Sequence, residues 1–264
     1  LAGLGCLLAT AGRLAAQDSP HQLDYEAFNA NATVARWMMV YDRVAWVTTD
    51  LVVQLPRETQ AQLGNEWFAY ERDGHWHAVY GRYDPAADRY HAVVHYVRAD
   101  TGFRRTPEPP DSLDALAFGR ALHLTGNWRH GKNAPPVRFN QFVRRLPDGR
   151  IEVWYLPAWQ PNGCIAHGIE VQYTLSPDGF VVVDSAWRGS RLALIAPDRN
   201  RYEVLDEHEA TVPSVGSLFL VMAYGTAFRQ LYIETRDVRT TLFRDGSKVA
   251  WISAVRPKTG EASP

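Results

Sequence analysis

Residues 75–97 read HWHAVYGRYDPAADRYHAVVHYV. β-Branched and aromatic residues fill both arms and Asp84-Pro85 opens the turn between them, the signature of an antiparallel hairpin. The same grammar recurs downstream with Asp-Gly turns, in FVRRLPDGRIEVWYL (142–156), VQYTLSPDGFVVVD (171–184) and TTLFRDGSKVAWI (240–252). Asp-Gly supplies the positive φ that tight hairpin turns need. Working outward, SLDALAFGRALHLT (112–125) places apolar residues at 113, 116, 117, 118, 121, 122 and 124, the stripe of a helix packed on a sheet. Asp111 is its expected N-cap, and Gly126 follows its end. DYEAFNANATVARWMMVYDRVAW (24–46) reads as one or two helices. The segment 214–235 fits a helix followed by a strand. The expected class is α+β: an antiparallel β-rich core of hairpins, an N-terminal helical segment and a connecting helix near 112–125.

The loop-like stretches TPEPPDS (106–112) and GNWRHGKNAPP (126–136) divide the chain. They separate an N-terminal α+β part (17–105) with the histidine-rich hairpin, a helical connector (106–136) and a C-terminal β-rich part (137–256). The polar end PKTGEASP (257–264) reads as a disordered tail. At the other end, LAGLGCLLATAG is apolar and RLAAQDS follows, the pattern of an export signal, truncated at its start and cleaved after Ala16. The expected location is periplasmic or secreted. Without residues 1–16 the single cysteine is Cys164, so stability must come from a core rather than from an intramolecular disulfide.

Over 264 residues, 28 basic and 29 acidic side chains give a net charge of -1. That leaves no global field for nucleic acid or an anionic membrane. No stretch reaches the roughly 20 apolar residues of a membrane span. The Gly-rich phosphate loop, the Gly-x-Ser-x-Gly elbow and the His-Glu-x-x-His helix are missing from the sequence, so no common hydrolase or nucleotide-binding signature is present.

Four histidines lie on the first hairpin. His75 and His77 share one strand face, and His91 and His95 share a face of the partner strand. A five-residue turn over 84–88 would set His77 opposite His95, and the imidazoles would converge as zinc or copper sites require. A four-residue turn over 85–88, favoured by Asp88 at a left-handed closing position, puts the two pairs on opposite faces. Elsewhere, Cys164 and His167 are three apart, a spacing that on a regular strand points them to opposite faces. Asp206, Glu207, His208 and Glu209 could bind a cation or act as acid and base, but also fit a solvated charged loop. Glu170 stands as an isolated acid near an apolar strand, as suited to an arginine partner as to chemistry. Trp128 and Trp159 lie in loops containing Pro and Gly, where exposed rings could stack on a sugar or anchor a protein.

Two functions follow as expectations. The first is a non-enzymatic exported domain of bacterial type, without a cofactor, that binds a protein or glycan through its sheet and aromatic loops at Trp128 and Trp159. The second is a metal-dependent enzyme holding zinc or copper on His75, His77, His91 and His95.

Overall fold

The computed structural model describes residues 23–130, 135–189, 191–245 and 248–256. The expected export signal and the C-terminal tail lie outside the described residues. The fold is α+β. One helix, α1 (Tyr25–Val52), spans the N-terminal stretch and is capped by Asp24, whose carboxylate accepts from the Glu26 and Ala27 amides. A single turn, α2 (Arg57–Gln60), leads into the meander β1 (Phe68–Arg72), β2 (His75–Asp84), β3 (Arg89–Ala99) and β4 (Gly102–Arg105). The connecting helix is α3 (Ser112–Gly126), with Asp111 as its N-cap, as the sequence leads one to expect.

The second half opens with β5 (Phe139–Arg145) and β6 (Ile151–Pro157), then β7 (Ile165–His167), β8 (Glu170–Leu175) and β9 (Val182–Arg188). β5, β6, β8 and β9 form a second antiparallel sheet, and β7 pairs with β10 (Ala193–Ile195). β11 (Tyr202–Glu207) precedes α4 (Val215–Tyr224), which is followed by β12 (Gln230–Thr235), β13 (Val238–Asp245) and β14 (Lys248–Val255). The helix-then-strand reading of 214–235 is therefore realised as α4 and β12. β11 joins β12 in parallel, the one parallel pairing among the described strands, because α4 forms the crossover between them.

The sheet β1–β4 and the sheet of β5, β6, β8 and β9 meet where β1 runs beside β5, and side chains close the seam. Gln141 of β5 donates from Nε2 to the carbonyls of Asn65 (2.8 Å) and Trp67 (2.9 Å). Tyr41, fully buried on α1, accepts the Ala69 amide of β1 on its hydroxyl at 3.0 Å, and the Val143 backbone of β5 also bonds that hydroxyl. Both faces of the joined layer are covered except along its edge strand β9. Trp76, Ala78, Tyr80, Phe142, Trp154 and Leu156 pack with α1 and α4 in one core. On the other side, Phe68, Val79, Val143, Val153 and Tyr155 pack against Ala117, Phe118, Ala121 and Leu122 of α3. The sheet β11–β14 completes the first core with Leu205, Leu231, Ile233 and Leu242, and Trp251 sets its ring edge-on to Phe28 at 5.7 Å. Among the described residues no helix is long and apolar enough to cross a membrane.

Gly179 seats the β8–β9 hairpin on α3. Its φ is +79°, and a Cβ there would stand 2.2 Å from the Ala117 carbonyl oxygen. Neither the turn nor the close approach admits a side chain.

The seam gives the first prediction. Tyr41→Phe removes the acceptor of a buried amide and should cost about 1–3 kcal/mol of stability in urea unfolding, with the fold retained.

Candidate functional site

The first hairpin has the four-residue turn. Asp84 pairs with Arg89, Asp88 closes the turn at φ 48°, and the Asp84 carboxylate accepts from the Ala86 and Ala87 amides. A β-bulge then changes the outcome for the histidines. Gly81 pairs with Ala92 but Tyr80 pairs with Val94, so Val93 is an extra residue in β3. Past the bulge every β3 side chain has moved one place. His95 therefore reaches the face of β2 that carries His77, and His77 Nδ1 lies 3.0 Å from His95 Nε2. His91 precedes the bulge, pairs with Arg82 and stays on the opposite face. His75 pairs with Arg72 at the exposed end of the hairpin. The hairpin thus unites two of the four histidines, and among the described residues no group of three or more His, Cys, Asp or Glu is placed to hold a metal ion.

The histidine pair has a defined proton arrangement. His95 Nδ1 lies 2.8 Å from the Glu108 carbonyl, which can only accept, so His95 donates there. In its neutral form, His95 Nε2 must accept from the His77 Nδ1–H. Tyr70 stacks on His77 at 4.8 Å between ring centroids. Burial first, then the neighbouring His95, holds the His77 imidazole below its usual range. Next to His95, an open groove of about 540 Å³ runs along Val93 and Val94 under Arg105, Pro107 and Glu108. Its polar lining is partly spent on internal bonds: both His95 nitrogens are engaged, and the His95 carbonyl accepts the Thr106 amide.

The tryptophans singled out in the loops pack inward. Trp159 is partly buried and sets its ring edge-on to Tyr224 at 5.4 Å. Trp128 sits edge-on to Phe139, Tyr155 and Trp187, the last at 4.9 Å. Trp187 is the ring that meets solvent. It belongs to β9, an edge strand whose residues are exposed on both faces apart from the half-buried Ala186. With the hairpin residues before it, β9 presents Phe180 (52% exposed), Val181 (58%), Val183 (56%) and Trp187 (55%). One flank is firmly held: the guanidinium of Arg120 on α3 lies 3.9 Å over the Phe180 ring and pairs with Asp88. On the other face Arg188 donates to Gln172 at 3.1 Å and lies 5.6 Å over Trp154.

Two buried acids form polar centres that pattern reasoning did not assemble. Asp42, on the inward side of α1, accepts from Asn140 Nδ2 at 3.3 Å, and burial pushes its carboxyl up to about 7. Glu170 begins β8 and is buried beside Ser214, Gly216 and Glu207. The acidic group of 206–209 is split by the strand. Glu207 turns inward to Ser214 and Ser217, whereas Asp206 pairs with the exposed His208. Cys164 is half-buried and forms no disulfide among the described residues; the nearby His167 is held below its usual range by burial. The helix stripe of α1 could have flagged position 42 as inward, but nothing local marks Glu170 and Glu207 as neighbours.

Comparison with protein-family models, with curated proteins and with solved structures finds no match for this chain.

The histidine pair is testable by substitution. His95→Ala leaves the Glu108 carbonyl without its donor and should lower stability by about 1–3 kcal/mol. Because His77 is depressed in the fold, its contribution is present above the unfolded value near 6.5 and is lost as pH falls through the folded one. The stability advantage of wild type over His77→Phe should therefore grow between pH 5 and 7 (roughly the range of imidazole titration) in urea unfolding curves.

Proposed function

We propose that this protein is a non-enzymatic binding domain acting in the periplasm or outside the cell, and that it takes an extended strand of a protein partner along β9. The observation that carries this reading is an edge strand exposed on both faces and bordered by Phe180, Val181, Val183 and Trp187. An edge strand offers unpaired main-chain groups, and natural proteins guard such edges unless they are used. Here the outer side has no strand partner among the described residues. Strand addition draws affinity from the main chain and specificity from alternate side chains. The complementary partner is a segment with alternating apolar residues, one set meeting Trp187, the other meeting the charged face of Asp184 and Arg188. The apolar stretch before residue 17 supports export, since it reads as a secretory signal. The groove beside His95 is the weaker seat because its polar groups already bond one another.

A display library of short extended peptides with alternating apolar residues tests the proposal. Selected peptides should lose about tenfold or more in affinity to Trp187→Ala, the scale of an aromatic anchor. Val183→Lys should also weaken them, because a lysine on an edge opposes strand pairing. Peptide binding indifferent to both variants would overturn the reading. Failure to select any peptide, together with binding on a glycan array that Trp187→Ala abolishes, would replace strand addition with sugar stacking.

A further inference from the structure

We propose that Glu170, Ser214 and Glu207 form a proton-operated latch, which clamps β8, β11 and the start of α4 together while it holds one shared proton and loosens when that proton leaves. The geometry requires the extra proton. The Ser214 hydroxyl contacts Glu170 Oε1 and Glu207 Oε1 at hydrogen-bond distance, yet has one hydrogen to give. One carboxyl must therefore donate to Ser214 Oγ while Ser214 donates to the other. The Ser217 amide, 3.2 Å from Ser214 Oγ, takes the remaining lone pair of that oxygen.

The surroundings decide which acid carries the proton. Glu207 accepts from the Ser214 amide at 2.8 Å, from the Ser217 hydroxyl at 2.6 Å and from the Ser214 hydroxyl, so three donors already fill its two oxygens. Glu170 accepts the Gly216 amide at 2.9 Å on Oε1, but its buried Oε2 has no partner, which suits a neutral acid. Burial first, and the facing Glu207 second, push the Glu170 carboxyl up to about 7.

Other groups facing this acid do not replace the proton. Arg188 of β9 lowers the Glu170 value, but less than burial and Glu207 raise it. His167 of β7 and Tyr224 of α4 line the adjoining cavity, and burial favours the neutral form of each. Asn31 of α1 bonds the Pro213 carbonyl and contributes no charge. The cavity measures about 20 Å³, room for roughly one water, which is too little to hydrate an ionised Glu170 fully without movement of its walls. The wall that can yield is the first turn of α4 at Gly216 and Ser217, which the bridge ties to β8 and β11.

The sign follows from linkage. Glu170 is raised above its ordinary value of 4.5, so its contribution is full below that value and is lost as pH rises through about 7. Asp42 contributes in the same direction and His77 and His167 in the opposite one, so the test is a difference between variants of the whole chain. Glu170→Gln mimics the neutral acid. In urea unfolding from acid to mildly alkaline pH it should gain on wild type as pH rises, whereas Asp42→Asn corrects only its own share. Hydrogen exchange at Gly216 and Ser217 of wild type, corrected for intrinsic rates, should accelerate by up to about tenfold per pH unit above neutrality. Glu170→Gln should abolish that acceleration. Parallel stability curves, or exchange that follows intrinsic rates alone, would overturn the latch. If Glu170→Gln does not fold, carboxyl carbon shifts of wild type decide: a glutamate titrating near neutrality supports it, and all glutamates titrating in the ordinary range refutes it.

Discussion

The seam between the two central sheets is the constraint on which the remaining structure depends. Among the described residues no main-chain ladder joins β1 to β5; the Gln141 amide and the Tyr41 hydroxyl satisfy backbone groups that meet there. An unpaired buried amide or carbonyl is costly, so these two side chains must keep their places. With the seam closed, the sheets act as one layer, and α1 and α3 can each cover a face drawn from both. The same layer carries β9 to its far edge and sets Glu170, at the start of β8, against the first turn of α4.

The histidine hairpin illustrates how a local rule and a nonlocal one combine. Turn chemistry at Asp84 and Asp88 specifies a four-residue loop, and that loop alone would leave His77 and His95 on opposite faces. The bulge at Val93 reverses this for His95 and leaves His91 unchanged. Gly81 stands opposite the irregularity, where a Cβ would lie 2.1 Å from the His91 carbonyl oxygen. A glycine inside a strand is the sequence mark of such a bulge. It signals that backbone approaches closely, but not which strand gains the residue.

Burial shapes the polar centres as strongly as charge does. Glu170 and Asp42 are both pushed upward chiefly by loss of water, whereas Asp88, an exposed acid paired with Arg120, is held down at about 2. The same residue type therefore serves as a surface anchor in one place and as a proton holder in another. β9 shows the complementary case, with large apolar side chains left in water because no element of the described chain covers them.

The hairpins, the Asp111 cap, the connecting helix and the α+β class could be read from the sequence alone, because each depends on residues within one or two turns of chain. Alternation, the 3.6-residue stripe and Asp-Gly turns are local properties. What only the tertiary structure decided involves partners far apart in sequence: the meeting of Glu170 with Ser214 and Glu207, the inward packing of Trp128 and Trp159, the open side of β9, and the convergence of His77 with His95 but not with His75 or His91. Burial and strand neighbours are set by how elements stack, and a one-residue shift inverts a face. Periodicity therefore marked the elements, while their assembly determined which side chains could act together.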